Sequence, residues 1–278
     1  MTRLETDATS APRWPAVYVV ANLGRWVAGA FRPPRSGRVT APGWRAYLGA
    51  FALGAVATAA TMVWIDAATI AAVARLPTWV ITAFNELTDF GRSGWFLIPL
   101  AVLILTAAVA DRPWLDRWSH GVVTAVVVRA GFLFVAIGLP GLVQAVLKRL
   151  IGRVRPSELG PFAYEPFSWA AKFHSLPSGH AATAFSALVA FGALFPPLRP
   201  ILWTYAALIA ASRVVIAAHY PSDVLAGALV GALGALLVRD WFARRRYAFA
   251  IGPDGSVRAL PGPSLARLKR VARRLVAS

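Results

Sequence analysis

The run AYLGAFALGAVATAATMVWI, residues 46–65, lies between Arg45 and Asp66 and carries no charge over 20 residues. A helix rises about 1.5 Å per residue and a bilayer's hydrocarbon core is about 30 Å thick, so this run is long enough to cross once. Similar runs follow downstream. Residues 93–110 and 130–147 are uncharged, the latter extending back past Arg129 to about His120. Residues 181–195 close at Pro196-Pro197, residues 201–218 are interrupted only by Arg213, and residues 224–238 complete the series. The expected fold is an all-α integral membrane protein, a six-transmembrane-helix bundle. Between the first two runs, residues 67–90 are broken by Arg75, Pro77, Glu86 and Asp89, which predicts a re-entrant or interfacial helix rather than a seventh span.

Composition agrees. Of 278 residues 58% are apolar and 15% charged, against roughly 45–50% and about 25% in soluble chains, so intrinsic disorder is excluded. The absence of cysteine excludes disulfides, thiolate metal sites and cysteine nucleophiles. A net charge of +17 on so apolar a chain suits either a nucleic-acid partner or basic membrane-flanking loops, and its distribution decides. With six spans, twenty of the 29 Lys and Arg residues fall on the side holding both termini, and eight on the other. Positive-inside bias then places both termini in the cytoplasm, and no nucleic-acid partner is expected. The chain divides into a basic, amphipathic N-terminal segment (1–43), a six-span core (44–240) and a basic C-terminal tail (241–278). Within the first, residues 14–31 suit either the headgroup layer or a tethered tail. No cleavable leader is expected, and the tail needs only anionic lipid headgroups as partners. Oligomeric state is not legible.

The chemistry-bearing residues gather at span ends on the side opposite the termini. They are Lys148 to Arg155-Pro156, Pro177-Ser178-Gly179-His180, Ser212-Arg213 and His219-Tyr220-Pro221-Ser222-Asp223. Cations at membrane depth are costly without an anion, and phosphate is the natural one. Lys148 supplies a point charge and Arg155 a planar fork of donors. Ser178 suits a helix cap, and Gly179 opens backbone N–H groups to an anion at a helix start. Asp223 stands four residues beyond His219, a spacing that lets the carboxylate orient the imidazole. Each piece alone has an ordinary alternative: a basic flank, a capped helix start, an interfacial His–Asp pair. Arg213, isolated in an apolar helix, is the hardest to explain that way. Arg129 has no motif around it and is expected to pair inside the bundle or snorkel.

Together these residues resemble the type 2 phosphatidic acid phosphatase family of membrane lipid phosphatases, which is related to glucose-6-phosphatase and vanadium haloperoxidases. The motifs K-x6-R-P, P-S-G-H and S-R-x5-H-x3-D stand complete and in order over roughly residues 46–240. The resemblance implies His219 as the nucleophile forming a phosphohistidine, Asp223 as its orienting partner, and His180 as the proton donor to the leaving oxygen. It implies Lys148, Arg155, Ser178, Gly179 and Arg213 as the phosphate-binding set. No metal and no cofactor are expected, since fixed cations take the metal's place. A neutral His219 and a charged His180 imply a bell-shaped pH profile.

The expected substrate is a membrane lipid ending in a phosphomonoester or diphosphate: undecaprenyl diphosphate, phosphatidylglycerophosphate or phosphatidate, with lipid A 1-phosphate as the alternative. The expected location is the bacterial inner membrane, multi-pass, with the site facing the periplasm. A reading of another class, an anionic-lipid transporter or binding protein, lacks the internal repeat expected of transporters. Between the first two motifs lie Phe162, Tyr164, Phe167, Trp169 and Phe173, expected either to lie on the outer leaflet and guide a lipid tail or to plug the helix ends.

Overall fold

The computed structural model describes residues 15–34, 43–113, 115–158, 160 and 162–277. The rest of the N-terminal segment, Trp14 included, lies outside the described residues. In chain order the helices are α1 (Pro15–Ala30), α2 (Trp44–Trp64), α3 (Asp66–Val73), α4 (Thr78–Thr88) and α5 (Gly94–Ala110). They continue with α6 (Arg117–Ile151), α7 (Gly179–Leu194), α8 (Arg199–Val215), α9 (Pro221–Arg244) and α10 (Leu265–Ala277). A short hairpin, β1 (Phe249–Ile251) with β2 (Val257–Ala259), stands between α9 and α10; its register pairs Phe249 with Ala259.

Among the described residues, five stretches are long and apolar enough to cross a membrane: α2, Thr78–Ala110, α6, Pro196–Val215 and α9. The expected fourth span, α7, has 16 residues. Its position explains its length. It packs against α6, α8 and α9, and its run of Ala181, Ala182, Ala184, Ala187 and Ala190 is buried. A helix apolar on every side belongs in the interior. α9 meets it with glycines: a Cβ on Gly227 would stand 2.3 Å from the Ser178 carbonyl oxygen, and one on Gly231 2.2 Å from that of Ala182. Small residues let the two backbones touch, as membrane packing without a hydrophobic drive requires.

Residues 67–90 form α3 and α4, divided at Pro77. At 8 and 11 residues they reach about 12 and 16 Å, too short for either to cross alone. The helix α1 is docked rather than a free tail. Asn22 donates to the Ala108 and Asp111 carbonyls at 2.9 and 2.8 Å, using acceptors left over at the end of α5.

α6 is 35 residues long, about 52 Å, and so outreaches the hydrocarbon layer. Asp116 caps its start by accepting from Ser119 and Trp118 N–H, and the Ser119 N–H and hydroxyl above all hold its carboxyl down at about 2. The end distant from the motifs is covered by α1, the hairpin and α10. Phe132 of α6 meets Phe249 of β1 edge-on at 4.7 Å, and Val271 of α10 packs on Val122, Val123 and Val127. Arg129 finds its partners here, donating to the Ala125, Leu260 and Pro261 carbonyls, each at 2.9 Å. Much of the basic tail is therefore ordered structure.

Candidate active site

α6 ends at Gly152, whose φ of 65° puts it in the left-handed region and whose N–H returns to the Lys148 carbonyl. The chain then runs through Arg153 and Arg155, held by main-chain bonds to the segment leading into α7. Arg155 N–H donates to the Lys172 carbonyl at 2.9 Å, and Ser175 N–H to that of Arg153 at 3.0 Å. The second motif is bonded to the third: Ser178 N–H donates to the Asp223 carbonyl at 2.9 Å. Three segments far apart in sequence are thus stitched together by backbone alone.

His180 stands in the first turn of α7, within electrostatic reach of Arg213, His219, Lys148 and Arg92. Lys148 in turn feels Arg155 and Arg213. Arg213, buried in the last turn of α8, donates from Nη1 to Thr88 Oγ1 at 2.7 Å. Among the described residues, four polar atoms in this cluster are buried with no hydrogen-bond partner: Arg155 Nε, Arg213 Nε, Ser178 Oγ and His219 Nδ1. The first three are buried donors left open beside converging cations, which an oxyanion would satisfy, whereas His219 Nδ1 faces Asp223.

Two expectations need correction. Ser178 occupies the N-cap position of α7, but its hydroxyl makes no capping bond. His219 and Asp223 are close without being hydrogen-bonded: Nδ1 lies 3.7 Å from Oδ2. That carboxylate is already occupied. Its Oδ2 accepts from Ser175 Oγ at 2.5 Å and Tyr220 N–H at 2.9 Å, and its Oδ1 from Arg153 at 2.6 Å. Gly179 keeps its expected place at the helix start, and Gln144 also limits the room there: a Cβ would meet Gln144 Oε1 at 3.2 Å.

His219 lies in the turn between α8 and α9 and is 2% exposed. Burial drives its pKa down to about 4, with Arg213 and Arg155 pushing the same way and Asp223 opposing them. The ring is therefore neutral at neutral pH, with a lone pair available for attack.

Several site residues were not singled out in the sequence. Arg92, counted there only as an outer-side charge, flanks His180, and Thr88 receives both Arg213 and Ser212. Gln144 anchors the Pro177 carbonyl at 2.7 Å. Beside them, a cavity of about 430 Å³ lies between α5, α6 and the first turn of α7, reaching Arg92, Gly138, Gly141, Gln144 and His180. The signal available was weak: polar residues interrupting an apolar stretch at 86–93.

Comparison with known proteins gives the family. The PAP2 superfamily profile matches residues 129–247, a range holding all three motifs. A lipid A 1-phosphatase of Rhizobium johnstonii is 36% identical over 172 residues, covering 61% of this chain and 70% of its own length. One of Rhizobium etli is 38% identical over 173 residues, covering 61% and 74%. Among solved structures, a PAP2-type phosphatidylglycerolphosphate phosphatase of Bacillus subtilis aligns at a TM-score of 0.48 with 23% identity, over 69% of this chain and 93% of that one.

Proposed function

The chain belongs to the PAP2 superfamily, and from that premise we propose how this multi-pass membrane lipid phosphatase works and on what. The observation that carries the proposal is the set of unpartnered buried donors on Arg155, Arg213 and Ser178, gathered with a neutral His219 imidazole. Lys148, Arg155, Arg213 and the start of α7 hold the phosphate oxygens. His219 Nε2 attacks phosphorus, forming an N–P bond as the P–O bond to the lipid breaks. His180 gives its proton to the departing oxygen. It then takes one from the water that cleaves the N–P bond, releasing phosphate and freeing His219. The His219 ring, with Nδ1 3.7 Å from the held Asp223 carboxylate, closes on it through Nδ1–H as positive charge develops; such bonds are often long before substrate binds.

The proposed substrate is the 1-phosphate of lipid A. The sequence alone placed isoprenyl diphosphates and glycerophospholipids first; the two Rhizobium relatives move lipid A ahead of them. The proposal keeps the inner membrane, six crossings with α7 as the shielded fourth, both termini in the cytoplasm and the site facing the periplasm. The asymmetry of Lys and Arg between the two sides supports that orientation.

Phosphate release by the purified protein from lipid A, phosphatidylglycerophosphate, phosphatidate and an isoprenyl diphosphate tests the reading. Lipid A should react fastest, and His219→Ala should lower every rate by more than about a thousandfold. A glycerophospholipid turned over faster would reassign the substrate; an undiminished H219A rate would remove the proposed nucleophile.

A further inference from the structure

On the far oxygen of the carboxylate that faces the imidazole lies a second charged group that none of the motif roles includes. Arg153 sits inside the first motif, between Lys148 and Arg155, yet it is 0% exposed and its guanidinium is bound to carboxylates. Its Nη1 donates to Asp223 Oδ1 at 2.6 Å and to Ser222 Oγ at 2.7 Å, and its Nη2 to Asp66 Oδ2 at 2.8 Å. Its cationic carbon stands 4.2 Å from the centre of the Tyr220 ring. Asp66, also 0% exposed, begins α3 and holds the first turn of α9. It accepts from Ser222 N–H at 3.0 Å and from Ser222 Oγ at 2.5 Å.

We infer that Asp66 and Arg153 form a positioning array for His219. Arg153 fixes the Asp223 carboxylate, Asp66 fixes Arg153 and the α9 turn, and together they set the charge that faces the ring. The inference rests on His219 being the nucleophile. Two carboxylates and one guanidinium carry a net charge of −1. As the N–P bond forms the imidazole becomes cationic, and a fixed negative charge behind it stabilises that state without reorganisation. Arg153 bridging Asp223 alone would cancel the charge; Asp66 restores it. A lysine cannot take Arg153's place, because one ammonium does not reproduce a planar fork with carboxylates on both arms.

The test uses the full-length protein with a lipid phosphate as substrate and inorganic phosphate as inhibitor. Asp66→Asn should lower kcat by about 10–100-fold, the usual cost of removing a group that orients another. KM and the phosphate inhibition constant should stay within about twofold, since the cations that hold phosphate are untouched. Combining Asp66→Asn with Arg153→Lys should cost little beyond the worse single variant, as expected of residues in one network. A D66N kcat within about twofold of wild type would overturn the inference, as would a rise in KM and phosphate inhibition constant in step with lost thermal stability.

Should D66N fail to fold, Ser175→Ala removes one donor from Asp223 without changing the buried charge. It should lower kcat about tenfold at constant phosphate inhibition, and an unchanged kcat would count against the array. Wild type and H219A run alongside separate the two readings. An inactive wild type defeats the phosphatase reading itself, whereas an active wild type, a dead H219A and a fully active D66N defeat only the array.

Discussion

At the scale of single residues, His219 links the folding argument to the chemical one. The turn between α8 and α9 buries it, and burial keeps it neutral. Its folded pKa of about 4 lies below the ordinary value of 6.5. The neutral ring therefore persists through pH 5–8, and any acid limb of kcat/KM due to this residue should be centred near 4. Linkage has the same sign: the unfolded chain binds the proton more tightly, so this contribution to stability is complete above about pH 6.5 and lost as pH falls towards 4. NMR titration of the His219 ring in the ligand-free protein checks this, and a midpoint near 6.5 would contradict it. The motifs made His219, His180 and Asp223 legible in the sequence because their spacing is fixed. Arg153 and Asp66 were not legible. One looks like a loop cation and the other like a span boundary, and only the fold brings them together as a buried pair.

Among the elements, the apolar runs revealed most of the helices, because spanning length is dictated by bilayer thickness. The interior place of α7 was harder to see, since its small residues read equally well as a lipid-facing span. Its contact with α9 gives a sharp expectation. In Gly231→Ala the new Cβ would meet the Ala182 carbonyl 2.2 Å away, and backbone cannot yield as a side chain can. A loss of about 1–3 kcal/mol is expected, visible as a lower melting temperature in detergent, while an unchanged Tm would show that the helices separate freely. The aromatic loop also takes on a definite character. Phe167 and Trp169 are 74% and 79% exposed, so these two rings are not a plug over the helix ends. Arg149 lies over the Trp169 ring at 5.0 Å. Replacing both aromatics with alanine should reduce turnover of lipid substrates more than that of a short soluble phosphate ester; equal losses would mean that the loop does not serve the lipid.

For the whole molecule, the main apolar core does not stop at the spans. Phe242, Ala243, Ala248 and Phe249 share one buried cluster with Phe132, Ile137 and Ala187. Composition marked the C-terminal region as basic, and its charge hid the few aromatic anchors that tie it down. Phe249→Ala should cost about 3–5 kcal/mol and lower the melting temperature of the entire protein rather than fray one end. The central claim is that residues from three separate segments form one pocket in which His219 carries the phosphoryl group. Rapid quenching of turnover on a phosphate-labelled lipid, followed by mapping of the alkali-stable, acid-labile label, tests it most directly. The account predicts a phosphorylated His219 in the wild type and no label in H219A; label on another residue, or turnover in single-cycle experiments with no phosphoenzyme formed, would contradict it.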